Sequence, residues 1–191
     1  MRATLYSLLT LSVLATVLAG CGGSSSTPAL PAEPARSAQV ITKSPGLDSL
    51  AAALTAAGKP LPDFLQSGTV TTAPPPGSVS TQSYMTVLTL NRWLYNQSVT
   101  RGRTQWYEVS LTSLNNLTDA YALVRSGDAD LYVFSPIRPN DPNSSLQLVG
   151  YSVGTGNEQV GSWVASAWGG TGRYIIGVNG FQASTFDLKV W

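Results

Sequence analysis

The sequence predicts an all-β fold: an antiparallel β-sandwich over residues 83–191, behind a flexible N-terminal segment that holds at most one short helix. Three observations predict it. Short runs in that region alternate apolar and polar residues with a period of two. Clusters of Gly, Asn, Asp and Pro punctuate the runs at short intervals. All 5 tryptophans of the 191-residue chain, and every tyrosine except Tyr6, also lie there, and aromatic residues suit pleated, half-buried surfaces.

Taken in order, the chain opens with Arg2 and an apolar run from Leu5 to Leu18. As a helix this run is about 21 Å long, short of the roughly 20 residues that span a bilayer, so it reads as the apolar core of a secretory signal. It ends in Leu18-Ala19-Gly20-Cys21, which resembles the lipobox of bacterial lipoproteins. That resemblance implies a signal peptide over residues 1–20, cleavage before Cys21, and lipid on the new N-terminal cysteine. Several acyl chains, at about 0.8 kcal/mol per buried methylene, would then hold the chain on a membrane. The residue after the cysteine is Gly22 rather than the aspartate that often retains such proteins in the inner membrane. The expected location is the cell envelope, at an outer membrane or outer surface. An ordinary signal peptide with a stray cysteine is the competing reading.

Residues 21–45 form a Gly-, Ser-, Pro- and Ala-rich tether with Pro28, Pro31 and Pro34, too poor in apolar surface to order itself. Residues 46–82 carry Leu47, Leu50, Ala51 and Leu54 at helical spacing, stopped by Gly58, Pro60 and Pro62. The spacing predicts a helix of about three turns. It fits equally a helix docked on the domain behind it and a transiently helical linker. Pro74-Pro75-Pro76-Gly77 then breaks the chain.

The predicted strands are Val87–Leu90, Trp93–Val99, Trp106–Leu111, Leu117–Val124, Leu131–Phe134, Leu146–Val153, Gln159–Val164, Arg173–Asn179 and Thr185–Trp191. Their apolar phases propose the core: Tyr107, Val109 and Leu111; Leu131 and Val133; Tyr174, Ile176 and Val178; Phe186, Leu188 and Val190. Clean alternation implies one wet face per strand and antiparallel pairing throughout.

Five motifs occur in order: Trp106-Tyr107-Glu108-Val109, Gly127-Asp128-Ala129-Asp130-Leu131-Tyr132-Val133, Gly156-Asn157-Glu158, Gly172 through Val178, and Phe186-Asp187-Leu188-Lys189-Val190. Together they resemble the bacterial pre-peptidase C-terminal domain, over residues 83–191 and nothing upstream. The resemblance implies a jelly-roll-like sandwich, non-catalytic, of the kind appended to secreted hydrolases as a binding or accessory module. The roughly 60 residues between Cys21 and Ser83 are too few and too Pro-rich for a peptidase. The domain is therefore expected to act alone on its tether.

Composition removes several functions. Histidine is absent, which excludes Ser-His-Asp and Cys-His catalysis and His-ligated zinc. One cysteine permits no intrachain disulfide. Eleven basic against 10 acidic residues build no field for nucleic acid. The expected partners are the membrane, through lipidated Cys21, and an extracellular protein or glycan.

Trp106 and Trp191 fall on the polar phase of their strands and are the candidate ligand-binding residues, since exposed aromatics bind sugars and peptides by stacking. Burial under a second sheet, a loop or the N-terminal helix is the competing reading. In collagen-binding members of the family, aromatics lie on the strand that corresponds to Tyr174–Asn179. Its polar phase here is Arg173, Ile175, Gly177 and Asn179, so collagen binding is not carried over.

Asp128 and Asp130 are the candidate metal ligands, for calcium. Calcium takes about six to eight oxygens, and Gly68–Ser83 contains no acid to supply more. The favoured reading is structural, with one aspartate capping the turn and the other paired with an arginine. No cofactor is expected. The function expected is a non-catalytic envelope lipoprotein with a stand-alone binding or accessory module. The alternatives are a structural envelope lipoprotein working through subunit contacts and a carboxylate-dependent hydrolase.

Overall fold

The computed structural model describes residues 39–70, 85–113, 117–136, 144–168 and 170–191. Cys21, the tether around it and the Pro74–Gly77 cluster lie outside the described residues. Among the described residues, no helix is long and apolar enough to cross a membrane.

Among the described residues, nine strands build the sandwich: β3 (Thr86–Leu88), β4 (Trp93–Val99), β5 (Thr104–Leu111), β6 (Leu117–Ser126), β7 (Ala129–Pro136), β8 (Leu146–Ser152), β9 (Glu158–Val164), β10 (Gly172–Gly180) and β11 (Ser184–Val190). They divide into a five-stranded sheet, β3-β5-β10-β7-β8, and a four-stranded sheet, β4-β11-β6-β9. Every residue that the alternation assigned to the core is buried between the sheets, joined by Ala120, Ala122, Val160 and Trp163.

Two expectations need correction. Pairing is not antiparallel throughout, because β3 runs parallel to β5. The chain leaves β3, crosses to the other sheet as β4 and returns as β5. Two reversals leave β3 and β5 pointing the same way. Nor is the outer face of the five-stranded sheet wet throughout: Val87 and Ser110 are exposed there, but much of the face is covered. Tyr132, Phe134, Leu146, Leu148 and Ile175 sit on its outer side and are buried by the segment 39–70. Of the two readings open for that segment, the docked helix is the one observed, and the segment belongs to the compact unit Arg36–Trp191.

The docked segment is short but well specified. A two-residue strand β1 (Gln39–Val40) pairs with β2 (Thr69–Val70). Between them lie α1 (Pro45–Ala56) and a second, unforeseen helix, α2 (Asp63–Ser67). Pro45 enters α1 in its first turn, where its missing N–H is no loss, and Asp48 there complements the helix dipole. Leu50 and Leu54, four apart, share the buried face. Pro62 precedes α2, and Gly68, with φ of 66°, ends it. Phe64 of α2 meets Trp106, Tyr132 and Phe134 edge-on, at centroid distances of 5.5, 5.1 and 5.6 Å. Each such fully buried side chain contributes about 1.5–3 kcal/mol, which is why a segment so poor in length stays seated.

Candidate functional site

Two constellations stand out: a buried charge cluster at one end of the five-stranded sheet, and an aromatic face on the four-stranded sheet.

The charge cluster starts from a helix cap. Gly58 follows α1 in the left-handed conformation, with φ of 68°. The Gly58 N–H donates to the Thr55 carbonyl and the Lys59 N–H to the Leu54 carbonyl, the paired bonds of a Schellman motif. This turn sends the Lys59 side chain inward, where only 2% of it stays exposed. Its ammonium donates to Asp128 Oδ1 at 3.0 Å, Asp130 Oδ1 at 2.5 Å and the Gly154 carbonyl at 2.5 Å. All three of its donors are thus satisfied. Burial alone would lower the Lys59 pKa, but the hydrogen bonds it donates to Asp130 and Asp128, with the charges of those carboxylates, outweigh it and hold the ammonium above the ordinary lysine value.

The carboxylates are held equally tightly. Asp128 enters through Gly127, whose φ of 80° and close approach to Ala183 and Ser184 leave no room for a Cβ. Asp130 Oδ2 accepts from the Tyr132 hydroxyl at 3.3 Å. Burial pushes the Asp130 carboxyl up to about 6, against the pull of Lys59. Burial and the neighbouring Asp130 raise the Tyr132 hydroxyl well above its usual value. Beside them the buried Glu158 accepts from Ser152 Oγ at 2.5 Å and the Gly154 N–H at 3.0 Å.

Asp128 and Asp130 therefore come together, as their spacing suggested, but the space between them holds the ammonium of Lys59. The expected arginine partner is corrected to this lysine. Among the described residues, no group of three or more His, Cys, Asp or Glu side chains comes together to hold a metal ion.

The aromatic face lies on the outer side of the four-stranded sheet. In β11, Phe186, Leu188 and Val190 point to the core, so Lys189 and Trp191 point out. Lys189 is paired with Trp93 of β4 on one side and Tyr121 of β6 on the other. Gln159 of β9 completes the row opposite Tyr121. Trp93 and Tyr121 are 6.1 Å apart, Tyr121 and Trp191 6.2 Å, and Trp93 and Tyr95 6.2 Å. The Lys189 ammonium rests 5.8 Å from the Trp93 ring centroid and 5.1 Å from that of Trp191.

A bulge aims Tyr95. The β4–β11 register slips between Phe186 and Leu188, and Asn96 sits there with φ of 55°. Asp187 Oδ1 accepts the Asn96 N–H at 2.8 Å, and Asp187 Oδ2 accepts from Arg125 at 2.7 Å. The Asn96 N–H first, and Arg125 second, hold the Asp187 carboxyl below its ordinary range. Tyr95 is thrown outward and stays 58% exposed; Trp191 is 36% exposed.

The two tryptophans proposed from the sequence are thus separated. Trp191 belongs to the aromatic face. Trp106 does not: it lies under α2 against Phe64 and across Gly177, where an added Cβ would stand 2.6 Å from its ring. Trp106 is partly buried beneath the N-terminal segment, as the competing reading had it. Sequence reasoning missed Lys59, Trp93, Tyr95, Tyr121 and Lys189. The outward phase of Trp93 and Tyr95 around Leu94 was a signal for two of them. Nothing local marked Lys59, which is 69 residues from Asp128.

No family model matches the chain, and no curated protein does. Among solved structures it is similar to the pre-peptidase C-terminal domain of a collagenase from Bacillus anthracis, with 19% identity and a TM-score of 0.43, over 56% of this chain and 95% of that one. It is also similar to a periplasmic inhibitor of g-type lysozyme from Aeromonas hydrophila, with 16% identity and a TM-score of 0.35, over 56% of this chain and 93% of that one. The first of these is the kind of domain that the motifs of residues 83–191 resemble.

Proposed function

We propose that this chain is a non-catalytic binding or accessory module of the cell envelope, held to a membrane by lipid on Cys21, and that its ligand is taken up on the aromatic face. One observation carries the binding reading: four aromatic side chains, Tyr95 and Trp191 exposed and Trp93 and Tyr121 half-buried, form a continuous strip around Lys189 on a sheet face that the docked segment leaves open. Large aromatics gathered at a surface bury much area at little entropic cost and dominate recognition sites.

The charge cluster speaks against the hydrolase alternative. Asp128 and Asp130 each spend an oxygen on Lys59, and both are buried. A general base must reach a substrate proton, and neither does so here. The lipid anchor rests on the Leu18–Cys21 motif and on the position of the one cysteine directly after an apolar run.

The test uses the purified full chain on glycan and peptide arrays, beside Trp93→Ala. Capture of a ligand by the parent and its loss in the variant supports the reading. A blank array together with concentration-dependent oligomers favours the structural alternative instead. Metabolic labelling with an alkyne fatty acid, compared with Cys21→Ala, tests the anchor; equal label in both refutes it.

A further inference from the structure

The aromatic face carries more than a general preference for a ligand, and the inference that follows rests on the binding reading above. We propose that the face takes an acidic saccharide, with a pyranose ring stacked against Trp93 or Trp191 and a sugar carboxylate paired with Lys189.

Three observations point to this chemistry. The first is the charge. The Lys189 ammonium lies over two indole rings, and none of the ion pairs formed among the described residues includes it. The other charges of the face are otherwise engaged. Asp187 is closed by Arg125 and the Asn96 N–H. Asp119 has an interaction of its own, and its Oδ1 stands close over Gly161 of β9. A cation supported on aromatic rings and lacking a carboxylate partner is complementary to an anion.

The second observation is the location. Trp93, Lys189, Tyr121 and Gln159 form one row across all four strands. The backbone N–H and C=O groups of β11 and β6, in the middle of that row, are spent on sheet pairing. An extended peptide reads a sheet through an open edge, which the centre of this face does not offer. Over β11 and β6 a ligand meets side chains alone: rings, one ammonium and, from β9, the exposed Gln159 amide.

The third is the shape. Trp93 and Tyr95 lie near parallel, at 25°, but the other two ring pairs are steeply inclined. Trp93 and Tyr121 meet at 78°, and Tyr121 and Trp191 at 61°. Such rings make a ridged surface, suited to single sugar rings with an apolar C–H face and a polar rim rather than to one extended flat layer. The polar rim then finds the Gln159 amide and the ammonium.

The experiment measures binding of the full chain to tetragalacturonate, tetramannuronate and a hyaluronan hexasaccharide by calorimetry, and to methyl-esterified tetragalacturonate as the uncharged control. Esterification keeps the pyranose faces and removes the carboxylates. At least one acidic probe is expected to bind, with the ester at least tenfold weaker in the galacturonate case. Lys189→Gln should weaken the acidic probe about tenfold and leave the ester unchanged, while Lys189→Arg retains it. Trp93→Ala and Tyr95→Ser should weaken both acid and ester; unchanged thermal unfolding of Tyr95→Ser separates a lost contact from a lost fold.

No binding of any acidic probe overturns the proposal, and so does equal affinity for acid and ester. If the array instead yields a neutral glycan or a peptide whose capture Trp93→Ala abolishes, the acidic-saccharide inference falls and the binding module stands. A blank array, with no acidic probe bound, removes both.

Discussion

Replacing Lys59 by methionine keeps its apolar stem and deletes its charge, leaving two buried carboxylates without their counter-ion. The size of the effect follows from the geometry. At an effective dielectric of about 20, unit charges about 4 Å apart attract by about 4 kcal/mol, and Lys59 has two such partners. Against this stand the desolvation of the ammonium, several kcal/mol in itself, and the mutual repulsion of the carboxylates. The expected net loss is that of a broken buried ion pair, about 3–5 kcal/mol. With a urea dependence of about 2 kcal/mol per molar, the unfolding midpoint drops by about 2 M. Urea titration followed by tryptophan fluorescence reads this directly. Replacing all three charges, as in Lys59→Met with Asp128→Asn and Asp130→Asn, should recover most of the loss, because no uncompensated charge is then buried. A Lys59→Met midpoint within about 0.5 M of the parent would refute the reasoning, and so would a triple variant no more stable than the single one.

Four further outcomes follow from the same structure. The native Asp130 pKa of about 6 lies above its ordinary 3.8, so between those values the folded chain keeps a proton that the unfolded chain has released. That contribution is full below pH 3.8 and is lost as pH rises through 6; urea midpoints at a series of pH values across this window should fall, and Asp130→Asn should flatten the fall. Millimolar calcium should leave the thermal midpoint of the parent within about a degree, since Lys59 occupies the seat between the aspartates; a rise of several degrees, abolished in Asp128→Asn, would show a metal site instead. Phe64→Ala should lower stability by about 3–5 kcal/mol in urea titration and speed hydrogen exchange of the amides in residues 39–70, because Phe64 is the ring that docks α2 on the sheet. Gly58→Ala, which meets no atom within 4 Å but forces a left-handed alanine, should cost about 1–2 kcal/mol by the same titration; no measurable change would mean that the cap does not position Lys59.

The strands and the sandwich core were legible in the sequence because both depend on local alternation. Tyr107, Val109 and Leu111, or Phe186, Leu188 and Val190, declare their face by a period of two, and a residue buried against its own strand's neighbours needs no distant information. The bulge at Asn96 was not legible, since nothing in Tyr95-Asn96-Gln97 shows which carboxylate will capture the Asn96 N–H. The cover on the second face of the five-stranded sheet left only a trace: Tyr132, Phe134 and Ile175 are too apolar for a wet phase. What covers them was not written beside them. Phe64 and Leu54 reach that face only because the chain returns across it, and Lys59 meets Asp128 and Asp130 only because a glycine cap turns it inward at that point. The aromatic face has the same origin. Trp93, Tyr121 and Lys189 come from three strands distant in sequence, and their union depends on strand order and register. Alternation says which side of its own strand a residue takes; only pairing between strands decides which residues become neighbours.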